Sequence, residues 1–225
     1  MERPFLEQDE KAWHDMREVN RTDKRRRIQL IAAALFVERG FDAVSVRDLA
    51  DAAEITQQTL YRHIGSKHQL LAELHRSVHE DRLARFRRVQ ESDLPARAKL
   101  TSLLREGFEL AALRRDEVLL VRREAHRLEE PYRTSRLAGM RELEDTVIAI
   151  LNCGVAEGAW SKADVWMGRM IVRGILNDLP SWYDTGGATT HQVLADRFAN
   201  FVLKSLEAPA ETLPTKRSTA KALAR

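Results

Sequence analysis

Gln57, Gln58 and Arg62 are the residues whose types and spacing suit one specific chemistry. A glutamine amide can hydrogen-bond two atoms on the edge of adenine, and a guanidinium two on guanine. Each such pair is worth ~1–3 kcal/mol of base discrimination. With Tyr61, the three share the outward face of one short helix; the competing reading is an ordinary solvated face. Groups suited to phosphate stand around them. Ser45 and Arg47 lie at the start of the preceding helix, Thr56 caps the helix itself, Tyr61 and His63 lie along it, and Lys67 opens the next. Hydroxyls, helix N-termini and cations bind phosphate oxygens and position a protein on a duplex without reading its sequence. Ser45, Thr56 and Ser66 are equally plain helix caps, and one residue can do both jobs. The basic run Lys24-Arg25-Arg26-Arg27 either adds to this charge or is a solvated first turn.

The elements that must position these groups follow from caps and periodicity. Thr22 can cap a first helix that places Ile28, Ile31, Ala32, Leu35 and Phe36 on one face and stops at Gly40. Ser45-Val46-Arg47-Asp48 has the form of a capping box and starts a second helix at Val46, ending near Ala53. Thr56 caps a third, from Gln57 to about Ile64, and Ser66-Lys67-His68-Gln69 is a second capping box opening a helix to about Gln90. Leu60 and Ile64 facing back onto Leu49 and Ala53, across Glu54-Ile55-Thr56, match a helix-turn-helix. Further helices are predicted near 96–113, 115–128, 132–157, 163–183 and 189–206, with no strand-like alternation and no internal repeat.

A formal net charge of +3 is too small to imply nucleic-acid binding, so the distribution decides. Residues 17–88 carry 15 Lys/Arg against 10 Asp/Glu, residues 91–207 carry 16 against 18, and residues 208–225 carry 4 against 1. The basic region coincides with the helix-turn-helix. The start of the chain lacks the order of a signal peptide and no apolar run approaches ~18 residues, so a cytoplasmic protein without a membrane partner is expected. One cysteine, Cys153, cannot form an internal disulfide and reads as a small buried apolar residue. There is no phosphate-binding glycine loop, no Gly-x-Ser-x-Gly elbow and no Cys-x-x-Cys, so no catalytic residue or cofactor is expected. His75 and His79, spaced i, i+4, lack the intervening glutamate of His-Glu-x-x-His and an evident third ligand, and read as structural or surface histidines rather than a metal site.

The sequence resembles the TetR family of bacterial regulators. The resemblance rests on Ile31-Ala32-Ala33-Ala34-Leu35-Phe36, Gly40-Phe41-Asp42-Ala43, Ser45-Val46-Arg47-Asp48-Leu49-Ala50, Thr59-Leu60-Tyr61-Arg62-His63 and Ser66-Lys67 with Leu70-Leu71. It implies an all-α protein with a three-helix helix-turn-helix domain over 22–68 and a helical ligand-binding and dimerisation domain over 69–207. Residues 1–21 mix charges without clear periodicity and read as a mobile N-terminal arm, and residues 208–225, low in large apolar residues, as a disordered basic tail. The resemblance also implies phosphate contacts for Ser45, Thr56, Tyr61, His63 and Lys67, and base contacts for Gln57, Gln58 and Arg62. Two positions depart from the pattern. Glu54 stands where a glycine usually allows positive φ, and Ile64 replaces the usual phenylalanine.

The last two helices are apolar over more of their circumference than one core face needs, as in a homodimer that joins two helices from each subunit. A monomer core is the alternative. A dimer sets two recognition helices ~34–36 Å apart and calls for a palindromic operator in double-stranded DNA. A small-molecule effector that alters this separation would release the DNA, with the fourth helix as the coupling element. Leu104, Phe108, Met140, Ile148, Leu151 and Met167 are the expected ligand-binding residues. Arg114-Arg115, Arg122-Arg123 and Arg127 either meet an anionic ligand or form a solvated face. Trp182-Tyr183-Asp184, Gly186-Gly187 and the ending Phe201 to Leu206 are similar to family members answering to acyl- or sterol-coenzyme A thioesters. The expected function is therefore a repressor released by an effector. The alternatives are an activator of the same architecture, a regulator answering to a partner protein, and a helical metal-binding or enzymatic protein.

Overall fold

The computed structural model describes residues 23–184 and 186–207. The expected arm, the Thr22 cap and the tail lie outside them. Every regular element among the described residues is helical. Helix α1 covers 23–39 and ends where Gly40, at φ 89°, donates its N–H to the Phe36 carbonyl. Helix α2 (Val46–Ala52) starts with the predicted capping box: Asp48 N–H donates to Ser45 Oγ at 3.1 Å while Ser45 N–H donates to the Asp48 carboxylate at 2.7 Å.

Thr56 caps α3 (Gln57–Ile64) by accepting from Thr59 N–H. Between α2 and α3, Glu54 adopts φ 58°, the left-handed conformation the missing glycine would have taken without strain. Leu49, Ala53, Leu60 and Ile64 are all buried, so the two helices close on each other as their spacing requires. At ~1.5–3 kcal/mol for each large side chain removed from water, this small core fixes the angle of α3.

Helix α4 (Lys67–Glu91) is capped by Ser66, which accepts from Gln69 N–H. The reciprocal half of the expected capping box is not made, because the Gln69 amide lies against Gly65 instead. Helix α4 belongs to two cores: Leu70, Leu71, Leu74 and Val78 pack with α1 to α3, whereas Phe86 and Val89 pack with the later helices. Those are α5 (Ala96–Leu113), α6 (Arg115–Arg123), α7 (Tyr132–Ala156), α8 (Val165–Trp182) and α9 (His191–Glu207). Helix α5 packs most extensively on α9, and α4 on α7. The helix expected over 115–128 stops at Arg123, and Ala125–Arg127 form one tight turn. Arg127 there pairs with Glu124 and reaches across to Asp42 of the loop between α1 and α2. The residues of α6 that join the first core, Val118, Leu120 and Val121, dock this helix on the N-terminal domain.

Candidate DNA interface and effector cavity

Thr56, Gln57, Gln58, Tyr61 and Arg62 are exposed on α3, while Leu60 and Ile64 hold its opposite face to the core. The outward set is therefore a continuous polar surface of two amides, a phenol and a guanidinium, with the partly buried His63 at its edge. Ser45 and Arg47 are exposed at the start of α2. Ser45 Oγ donates to Asp48 at 2.6 Å, so its own proton is committed, and Arg47 lies 3.7 Å from Asp51 in a solvent-exposed pair. The carboxylate of Glu54 is 3.6 Å from Arg27 on α1.

Lys67, like His63, is half-buried. Its Nζ donates to the carbonyls of Phe41 at 2.7 Å and Val44 at 3.0 Å and stands 4.4 Å from the centre of the Phe41 ring. Two of the three ammonium protons thus fasten the loop before α2, and one is left for an outside acceptor. The guanidinium of Arg127 lies over the same ring at 5.3 Å.

Between α4, α6, α7 and α8 lies a cavity of about 440 Å³ that is half open to solvent. A narrower apolar arm of about 90 Å³ adjoins it, and the two share Arg82, Met140, Leu143, Arg173 and Asn177 as walls. Along α4 the residues facing this space run His75, His79, Arg82, Phe86, a stripe at helical spacing that passes from polar to apolar. Arg136 Nε on α7 donates to His75 Nε2 at 3.1 Å. Burial, together with the nearby cations, pushes the His75 pKa down to about 4, so the imidazole is the neutral acceptor this bond needs. His79 Nε2 is buried without a hydrogen-bond partner, its ring pressed so closely on Gly139 that no side chain would fit there. A guanidinium at His75 Nε2 occupies the place a metal ion would take, and no group of three possible metal ligands occurs among the described residues.

Residues 31–74 match the family described as bacterial regulatory proteins, tetR family, and residues 93–206 match the tetracyclin repressor-like C-terminal domain. Across 181 residues the chain is 32% identical to the HTH-type transcriptional repressor KstR2 of Rhodococcus jostii (strain RHA1), covering 80% of this chain and 89% of that protein. The chain belongs to the TetR family of transcriptional regulators. The structure of the ketosteroid transcriptional regulator KstR2 of Mycobacterium tuberculosis superimposes with a TM-score of 0.76 at 29% identity, over 81% of this chain and 94% of that one. AibR, solved with isovaleryl coenzyme A and operator DNA, shares the fold at a TM-score of 0.69 and 22% identity, over 83% and 100% of the two chains.

In this TetR-family chain the cavity includes one of the six apolar residues expected to line it, Met140. Leu104, Phe108 and Leu151 are fully buried in the second core, Ile148 is half-buried, and Met167 is half-exposed on α8. The arginines split in the same way. Arg114 is tied to Glu117, Asp81 and Ser77, Arg115 donates to the Tyr183 carbonyl, and Arg122 alone of the expected set reaches the cavity. Sequence reasoning missed Arg82, Arg136, Arg169 and Arg173. The one available signal was the placement of Arg82 on the apolar stripe of α4, at i+3 from His79 and i−4 from Phe86.

Proposed function

We propose that this protein is a homodimeric repressor that binds a palindromic operator through α3 and releases it when a small molecule enters the cavity between α4, α6, α7 and α8. The observation that carries the reading is the exposed Gln57, Gln58, Tyr61 and Arg62 face on a helix whose other face is locked into the core. Gln57, Gln58 and Arg62 would read bases. Ser45, Arg47, Thr56, Tyr61, His63 and the third proton of Lys67 would meet phosphates on either side. Repression follows the KstR2 relatives, which are named as repressors.

The dimer would form through α8 and α9, where Trp166 is 61% and Phe201 65% exposed, apolar surface that association would remove from water. Residues 22–68 are the reading head and 69–207 the sensing and dimerising part. No helix among the described residues is long and apolar enough to cross a membrane, which fits the cytoplasmic location a DNA-binding regulator needs. A coenzyme A thioester is the first effector class to try, on the resemblance of Trp182-Tyr183-Asp184, Gly186-Gly187 and the Phe201 to Leu206 ending and on the apolar arm of the cavity.

Selection of bound sequences from random duplex DNA, near physiological salt so that non-specific phosphate contacts are not rewarded, tests the reading. A palindromic motif with half-sites one helical turn apart is expected. Enrichment of a single unpaired half-site would count against the dimer, and no enrichment against DNA reading itself.

A further inference from the structure

The cavity walls carry more positive than negative charge, and the excess is concentrated at two residues. Five guanidinium groups line the space, those of Arg82, Arg122, Arg136, Arg169 and Arg173, against two carboxylates, Glu144 and Asp178. Asp178 is taken by Arg122 at 2.5 Å. Glu144 is shared between Arg173 at 3.3 Å and Arg169 at 3.8 Å. Among the described residues Arg136 has only the neutral imidazole of His75, which accepts one of its five N–H groups. Arg82 makes no hydrogen bond or ion pair with any described residue. Burial is the one influence acting on its pKa, pulling it downward. An arginine stays protonated even so, and a half-buried cation without a counter-ion is stabilised by an anion that arrives beside it.

The neighbouring arm supplies the other half of a binding site. Phe86, Leu143, Val147, Val172 and Leu176 make it predominantly apolar, and Arg82 stands in the wall it shares with the larger cavity. We propose that Arg82 and Arg136 hold the anionic group of an amphipathic effector, a carboxylate or a phosphate, whose apolar part fills the arm beside Phe86. The proposal rests on the cavity being the effector site. Arg82 lies on α4, the helix that also carries Lys67 at the reading head, so the anion bears directly on the element that leads to the DNA.

The experiment uses the full chain and two fluorescent probes with the same aromatic body. One is 8-anilinonaphthalene-1-sulfonate, which is anionic, and the other is N-phenyl-1-naphthylamine, which is neutral. The parent protein is expected to bind the sulfonate more tightly. Arg82→Met should weaken the sulfonate at least tenfold while changing the neutral probe less than twofold, and Arg82→Lys should retain most of the sulfonate affinity. Equal losses for both probes, an unchanged sulfonate affinity in Arg82→Met, or no sulfonate binding to the parent would overturn the proposal. Because Arg82→Met removes an unpaired cation, its melting temperature without ligand should equal or exceed the parent's. A clear fall would show a structural role and overturn it as well.

Displacement of the sulfonate by decanoate more than by decanol assigns a carboxylate, and displacement by decanoyl coenzyme A alone assigns a phosphate. Decanol competing as well as decanoate again overturns the proposal. None of these measurements involves DNA, so a failed operator selection would strike the repressor reading and leave this one standing.

Discussion

Arg26 on α1 and Glu117 on α6 are joined by two hydrogen bonds of 2.5 and 2.7 Å, tying the reading head to the helix that lines the cavity with Val118, Val121 and Arg122. Glu117 is 1% exposed, and Arg114 donates to the same carboxylate at 2.7 and 3.0 Å. Burial alone would raise its pKa, but the hydrogen bonds and charges of Arg26 and Arg114 hold it below the usual carboxylate range.

Removing the carboxylate takes the one acceptor of Arg26 among the described residues and leaves Arg114 with Asp81 and Ser77 alone. Glu117→Ala is expected to cost about 3 kcal/mol of folding stability, read as a lower midpoint in urea. A depressed carboxyl contributes stability that is complete above its unfolded pKa, near 4.5, and is lost as pH falls through the lower folded value. The parent should therefore lose stability on acidification below about pH 4.5, and Glu117→Gln should show a flatter profile over that range. Parallel profiles would mean that other carboxylates carry the acid sensitivity.

Glu54 pays for its left-handed backbone, at φ 58°, with little in return, since its pairing with Arg27 is solvent-exposed at 3.6 Å. Glu54→Gly should stabilise the protein by ~1 kcal/mol, seen as a higher melting temperature. A lower one would contradict the strain assigned to this turn.

Base and phosphate roles separate in the pattern of loss across sequences. Arg62→Ala should relax preference at one operator position by ~1–3 kcal/mol, while Tyr61→Ala weakens matched and mismatched duplexes alike. Lys67→Ala should do the same and lower the slope of log affinity against log salt by about 1. It should also cost ~1–3 kcal/mol of stability, because the Phe41 and Val44 carbonyls lose their donor. Identical behaviour of Arg62→Ala and Lys67→Ala on matched and mismatched sites would reverse the assignment.

Phe201→Glu tests the dimer. Placing a charge where a 65% exposed phenylalanine should meet its copy is expected to cost about 2 kcal/mol or more of association, roughly 30-fold, in sedimentation. Operator affinity should fall with it.

The helices were legible because their signals are local. Ser45, Thr56 and Ser66 each accept the N–H three residues on, as caps must, and Leu60 and Ile64 returned to the core as their spacing demanded. The premature end of α6 at Arg123 was not legible, since the Asp42 that Arg127 reaches lies 85 residues away. The cavity was the least legible feature. Leu104 and Leu151 look the same in sequence whether they fill a core or line a space, and Arg82 and Arg136 read as solvated charges until α4 and α7 are laid side by side.

Helix α4 runs 25 residues without a break, its first turn at the reading head and its middle at the cavity. At 1.5 Å per residue, Arg82 is ~22 Å along the axis from Lys67, so pivoting the helix at Arg82 by one degree swings its DNA end by ~0.4 Å. A tilt of ~5° therefore becomes ~2 Å at each half-site and, in a symmetric pair, ~4 Å between them. On the proposed function, the helix would work as a lever whose long arm turns a small adjustment at the effector into a displacement of several ångströms between the half-site contacts.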